Sequence, residues 1–407
     1  MNCRHCQTKL EHRFLDLGFA PPSNAYLKPE ALQAPELYFP LKLYVCDTCW
    51  LVQTEDYSRS DELFTKDYAY FSSTSTGWLK HAKAYCDMVM GKFELGQDSL
   101  VIEVASNDGY LLKNFVEHSI PCLGIEPTDS TAEVAEALGI PVQREFFGKA
   151  FAEQLAAEGK QADLILGNNV YAHVPDINDF TAGLQAALKA GGTITLEFPH
   201  LLNLVSLNQF DTVYHEHYSY LSLRTVQRIF KQAELKVYDV ETLPTHGGSL
   251  RVYGCHADDS RKSGVNVEKV LADEVSGGLQ NLTTYLSLQP KADKVKDDLL
   301  AFLIEQKRKG KSVAAYGAAA KGNTLLNYAG VKPDLLSFVC DAAAAKQGKY
   351  MPGSHIPILT PDAMRESKPD FVVILPWNIA HEVMQQNGFI REWGGEFVAA
   401  VPELRVL

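Results

Sequence analysis

The sequence predicts an α/β protein built from three units, and three observations carry that expectation. The chain has 407 residues, more than one ordinary core accommodates and enough for two or three domains. Two stretches, from residue 99 to 199 and from 311 to 400, alternate continuous apolar runs with amphipathic segments. That pattern belongs to parallel sheets covered by helices on both faces. The first 75 residues carry few helical signals and two Cys-x-x-Cys pairs. The expected units are residues 1–75, 76–287 and 288–407.

In the first unit, Cys3 and Cys6 stand in "CRHC" and Cys46 and Cys49 in "CDTC". Each spacing puts two sulfurs on one turn, and two such turns make a closed tetrahedral thiolate site of the kind structural zinc prefers. A redox dithiol needs one such pair at a helix start in a βαβ unit and leaves the second pair unexplained. His5 lies inside the first turn but is surplus to four thiolates. The remaining cysteines, Cys86, Cys122, Cys255 and Cys340, are scattered through apolar segments and read as buried thiols. "GWLKHAKAYCDMVMGKF", from Gly77 to Phe93, follows the capping-rich "SSTST" and reads as a linking helix.

Composition narrows the function classes. Hydrophobic residues make up 46% and charged residues 22% of the chain, with a net charge of −12, as in an ordinary globular protein. With no basic block, nucleic acid and anionic membranes are not expected partners. The polar start "MNCRHCQTKLEHRF" shows no signal segment. The longest apolar runs, such as "FVVILP", fall short of the roughly 20 residues of a membrane helix. A cytoplasmic protein is expected; oligomeric state is open, and a monomer is compatible with every feature read.

In the central unit, "SLVIEVA", "PCLGIEP", "ADLILGNN" and "TITLEFP" read as strands, with "KVYDVETLP" and "GSLRVYGCHA" as a pair able to form an antiparallel edge. Residues 266–309 read as a charged helical connector. The first strand runs into "EVASNDGYLL", where Glu103, Ala105, Ser106, Asn107, Asp108 and Gly109 form the turn into a helix. Ligands of open α/β sheets lie beyond the carboxyl ends of the strands, so a cofactor belongs here. Glu126, 23 residues after Glu103, ends the next strand and suits a ribose diol. A dinucleotide would want GxGxxG; this turn has one glycine and two carboxylates that repel phosphate. S-adenosylmethionine (SAM), which lacks phosphate and carries two cationic groups, fits better. Asn168 and Asn169 in "LGNNVYAHV" complete the candidate donor site.

Two further stretches carry chemistry. "DTVYHEHYSY", residues 211–220, reads as a metal site, an acid/base cluster or a packed polar core. Along a strand His215 and His217 would share a face while Glu216 points away, which disfavours a three-ligand metal site. "YGAAAKGN" places a small-residue turn between a strand and a helix, an anion cradle to which Lys321 adds charge. Tyr316 could stack on a base there; a tight strand–helix junction chosen for packing is the plainer alternative. "HGGSLR", with His246 and Arg251, is a second place for close approach to phosphate, Arg251 equally suiting a salt bridge.

Taken in order, the CxxC pairs, "ASNDGYLL", "GNNVYAHV", "YHEHYSYLS", "HGGSLRVY" and "YGAAAKGNTLLNYAG" resemble the sugar C-methyltransferases of deoxysugar biosynthesis, over essentially the whole chain. The resemblance implies a zinc-binding domain, a Rossmann-like class I SAM-dependent methyltransferase domain and a smaller Rossmann-like α/β domain contributing to nucleotide-sugar binding. The implied substrate is a nucleotide-linked 4-keto sugar, on a thymidine or guanosine diphosphate, methylated at carbon 3. It also implies that Tyr68, His173, Tyr214, Glu216 and His217 line the sugar pocket, with His217 as the base. Gly317 and Asn323 join Tyr316 and Lys321 as expected substrate contacts. Ala105 departs from the glycine many donor turns carry.

That chemistry agrees with the residue types. Forming a carbon–carbon bond to an electrophilic methyl group needs a carbanion, supplied when a base removes the proton beside a ketone and the charge spreads to oxygen. A histidine, with an unperturbed pKa of ~6.5, is the natural base at neutral pH, and a tyrosine is a neutral donor for the oxyanion. An O- or N-methyltransferase acting on a nucleotide sugar is the alternative enzyme. A zinc ribbon on nucleic acid is the non-enzymatic one, disfavoured by the acidic charge.

Overall fold

The computed structural model describes residues 1–55, 72–74 and 76–407. Tyr68, an expected pocket residue, lies outside the described residues. Three sheets organise the rest.

The N-terminal sheet is antiparallel. His12–Ala20 pairs with Phe39–Val45, which pairs with Val52–Thr54, which pairs with Ser219–Tyr220. The fourth strand is therefore borrowed from far along the chain, directly after the "YHEH" stretch. Alternation along Phe39–Val45 buries Leu41, Leu43 and Val45 and leaves Lys42 and Tyr44 half-exposed, the period-two rule of a sheet with one covered face. Those buried residues share an interior with the helix Leu288–Arg308 and with Val313, Ala315 and Val339 of the C-terminal sheet. Phe14 meets Tyr285 edge-on at 5.3 Å within it.

The central sheet has seven strands in the order Leu235–Leu243, Ser249–His256, Leu188–Pro199, Ala162–Asn168, Val101–Val104, Cys122–Ile125, Val142–Gln143. The last five are mutually parallel, and the expected antiparallel edge forms between Leu235–Leu243 and Ser249–His256. Val101–Val104 is buried at every position, because helices cover both faces of a parallel sheet. The linking helix is Thr76–Lys92 and packs Ala82, Tyr85, Cys86 and Val89 against one face. Strand order reverses between Val101–Val104 and Ala162–Asn168, so the crevice for a ligand opens there.

The C-terminal sheet repeats this plan in the order Ile358–Leu359, Val339–Cys340, Val313–Tyr316, Phe371–Ile374, Glu396–Ala399, Arg405–Val406, parallel except at its last strand. Its order reverses between Val313–Tyr316 and Phe371–Ile374. The connector is helical, as Val265–Ser276, Leu282–Leu286 and Leu288–Arg308. No described helix is long and apolar enough to cross a membrane.

Candidate active site

The four paired cysteines converge. The sulfurs of Cys3, Cys6, Cys46 and Cys49 all lie within 4.8 Å of one another, the donor set and spacing of a closed zinc site. His5 turns away, its Nδ1 meeting Asn178 Oδ1 at 2.8 Å.

A single cavity of about 560 Å³ runs between the carboxyl ends of the two parallel sheets. At one end its wall is Ala105, Asn107, Glu126, Asn168 and Asn169. The turn after Val101–Val104 reverses through left-handed backbone, φ being 56° at Ala105 and 51° at Asn107, a conformation uncommon in residues other than glycine and helped by local hydrogen bonds. Glu126 supplies that support: its carboxylate accepts from the Asn107 N–H at 3.0 Å and from the Thr128 N–H at 2.9 Å. Asn107 Oδ1 and Asp108 Oδ2 accept from the N–H groups of Ser72 and Ser73, tying the approach to the linking helix onto the turn. Glu103, Ser106, Asp108 and Gly109 stand behind it, all buried. Burial first, then Asp108 and Glu126, pushes the Glu103 carboxyl well above its ordinary value.

This end fits SAM. Both amide atoms of Asn168 are buried without a partner while the residue lines the cavity, an unsatisfied donor and acceptor that a ribose or an amino-acid group would fill. Glu126 lines the cavity with acceptor capacity beyond its two backbone bonds, and the absence of a GxGxxG turn agrees with a donor that has no phosphate.

Midway along the cavity sit Tyr214, His217, Tyr220 and His173. Here the backbone is a turn: the His217 N–H bonds back to Tyr214 O at 3.1 Å, and strand pairing begins at Ser219–Tyr220. His215 and His217 therefore diverge rather than share a face. His215 Nε2 meets Phe39 O at 3.3 Å, while the His217 ring turns into the cavity, 4.1 Å from the Tyr214 ring and 4.5 Å from His173, centroid to centroid. Burial, with His173 and His246 adding to it, holds His217 well below its ordinary pKa. His173 is held at about 4 by burial, and its Nδ1 lies 2.8 Å from the backbone carbonyl of Glu216. That oxygen can only accept, so Nδ1 carries the proton and Nε2 keeps its lone pair. The Glu216 carboxylate faces the opposite way, accepting from Ser23 Oγ at 3.2 Å and Asn24 Nδ2 at 3.4 Å. Glu216 orients a histidine through its carbonyl.

At the far end the wall is His246, Lys321 and Lys346. His246 adopts left-handed backbone, φ 55°, with Nδ1 buried and unpartnered. Several expected contacts lie elsewhere. Tyr316 points into the opposite face of its sheet, among Phe338, Ile374 and Phe397, because alternation sends Val313 and Ala315 one way and Ala314 and Tyr316 the other. Arg251 is buried in an ion pair with Glu197 at 2.7 Å and Glu241 at 3.2 Å; its charge is spent inside the central sheet. Asn323 donates to Ser23 O at 2.6 Å, and Gly317 donates its N–H to Cys340 O at 2.7 Å. Neither lines the cavity. Missed from sequence were Trp78, Lys346 and an Asp211–Trp377 pair, since none belongs to a local pattern; a tryptophan at the start of the linking helix was the only available sign of the first.

Three family models match consecutive parts of the chain: a zinc binding domain over residues 3–64, a methyltransferase domain over 79–240 and a C-methyltransferase C-terminal domain over 244–402. The chain is 32% identical over 405 residues to the C-methyltransferase NovU of Streptomyces niveus, covering 100% of this chain and 96% of that protein. Among solved structures, the 1,6-didemethyltoxoflavin-N1-methyltransferase of Burkholderia thailandensis overlaps 51% of this chain and 96% of its own at 14% identity and TM-score 0.38. The magnesium protoporphyrin IX methyltransferase of Synechocystis overlaps 44% and 83% at 13% identity and TM-score 0.36. With four converged cysteines for zinc and a methyltransferase domain that takes SAM as donor, the chain belongs to the family of SAM-dependent C-methyltransferases.

Proposed function

We propose that this enzyme methylates carbon 3 of a nucleotide-linked 4-keto deoxysugar, with residues 1–75, 76–287 and 288–407 as its zinc-binding, donor-binding and nucleotide-sugar-binding units. The observation that carries the reading is the single cavity reaching two strand-order reversals, with acidic and amide groups at one and lysines at the other. Each reversal is a ligand crevice by the general rule for open α/β sheets. A cationic donor suits the first and an anionic nucleotide the second, so the two ligands would face each other across the histidines.

When bound, SAM supplies an electrophilic methyl group. His217 takes the proton from carbon 3 on a ring nitrogen, its neutral form assured by burial. The phenol of Tyr214, beside that ring, donates to the ketone oxygen as charge develops there, the contribution that matters most in such reactions. Tyr220, buried and lining the cavity, keeps water from the nucleophilic carbon. His173, fixed in one tautomer with its ring 4.5 Å from that of His217, stabilises the proton once taken.

Incubation with SAM and a panel of 4-keto sugars on thymidine and guanosine diphosphates, read by mass, tests this. A gain of one methyl group on carbon 3 supports it. Methylation at oxygen or nitrogen, or no deuterium exchange at carbon 3 in bound substrate, counts decisively against it.

A further inference from the structure

Behind the lysine end of the cavity lies a carboxylate that packing does not require. Asp211 is fully buried, Oδ1 has no partner, and Oδ2 accepts from Trp377 Nε1 at 2.7 Å. A buried carboxylate with one donor is costly, and an apolar side chain would fill the space better. What the carboxylate does hold is the indole. On its other side the Trp377 ring is seated against Gly247, where an added Cβ would lie 2.8 Å from Cη2. Over the ring stands the Lys321 ammonium, 4.7 Å from its centroid, with Nζ donating to Asn378 Oδ1 at 2.6 Å. Lys321 lines the cavity, and its helix is tied to the base-bearing turn by Thr324 Oγ1 donating to Val213 O at 2.7 Å.

We propose that Asp211 and Trp377 are positioning residues that hold the Lys321 ammonium in place for the anionic diphosphate of the substrate. The proposal rests on the nucleotide-sugar reading above. An ammonium already fixed by an aromatic face, an amide and a nearby carboxylate loses little freedom when an anion arrives, which is how preorganisation becomes affinity. The charges fit the role. Burial lowers the pKa of Lys321 and Asp211 opposes that, while Asp211 itself, pushed by burial to about 6, is ionised at neutral pH.

The test is titration of the zinc-loaded enzyme with thymidine diphosphate and guanosine diphosphate by calorimetry, with SAM binding measured in parallel. Asp211→Asn keeps an acceptor for the indole N–H and removes only the charge. It should weaken nucleotide affinity about tenfold, the factor ~1.4 kcal/mol represents, and leave SAM affinity unchanged. Lys321→Met should weaken it at least as much, and the double variant no more than Lys321→Met alone. Nucleotide affinity unchanged in Asp211→Asn while Lys321→Met loses it, or losses that add in the double variant, overturns the proposal and leaves the substrate reading standing. Wild-type enzyme that binds neither nucleotide nor any nucleotide sugar removes the substrate reading and this proposal with it. If Asp211→Asn does not fold, Trp377→Phe, which keeps a ring and deletes the donor, is read by the same criteria.

Discussion

At the scale of single residues, the proposed chemistry turns on histidines kept neutral by burial. His173 and His246 are each lowered from 6.5 to about 4, and His215 and His217 are lowered as well. In the unfolded chain these rings bind protons as pH falls through 6.5, whereas in the folded protein His173 and His246 do not until about 4, and His215 and His217 also resist protonation. The unfolded state therefore binds more protons across that window, and stability decreases as the solution is acidified. We expect the unfolding midpoint to drop between pH 6.5 and 4.5, before ordinary carboxylates titrate, at a cost on the order of 1–3 kcal/mol each for His173 and His246. A flat midpoint across that range would refute the neutral-histidine account. The same shifts place the acid limb of kcat/KM below pH 6.5, and His217→Ala should abolish turnover while SAM still binds with wild-type affinity by calorimetry. Residue identity was legible where type and spacing carry the chemistry, as in the cysteine pairs that converge. Orientation was not. Tyr316 and Arg251 carry suitable groups, but which face of a strand they occupy depends on a register that only the assembled sheets establish.

Elements show what the metal supports. Val52–Thr54, which follows the second cysteine pair, hydrogen-bonds to Ser219–Tyr220, and Thr54 Oγ1 donates to His217 O at 3.2 Å. The zinc site is thus one strand away from the candidate base. Cys49 and Cys46 also pack with Ile102, Leu196 and Phe230 of the central unit. Stripping zinc with a strong chelator should lower the unfolding midpoint by about 5 °C or more and reduce kcat in parallel; full activity in metal-free enzyme would show that the site is remote from catalysis. The donor turn makes a second prediction. Gly109 has φ 74°, and a Cβ there would lie 2.4 Å from Ile140 Cδ1, so Gly109→Ala should displace the turn and weaken SAM binding by tenfold or more, on the order of 1.4 kcal/mol. Sequence periodicity found the long helices and the buried strands because their signals are local. It could not assign the backbone of His215–His217, because the neighbouring two-residue strand, Ser219–Tyr220, exists only through its distant partner.

For the whole molecule, the arrangement of two parallel sheets around one cavity predicts that the ends can be disabled separately. Asn168 and Lys321 make the cleanest pair. Neither amide atom of Asn168 bonds to protein, so Asn168→Ala removes no internal hydrogen bond and should leave the unfolding midpoint within about 2 °C of wild type. It should nevertheless weaken SAM about tenfold, because a donor and an acceptor for the ligand are gone. Lys321→Met should do the reverse, raising KM for the nucleotide sugar and sparing that for SAM. The separation follows from architecture: each residue stands at a different strand-order reversal, with the histidines between. Both variants should retain the acid limb of the wild-type pH profile, since neither touches His217. The decisive measurement is a pair of KM values for each variant. Crossed selectivity supports two ligands meeting end to end. Variants that each raise both KM values together would mean that the cavity closes as one unit around whichever ligand binds first, and the division of labour between the sheets would have to be abandoned.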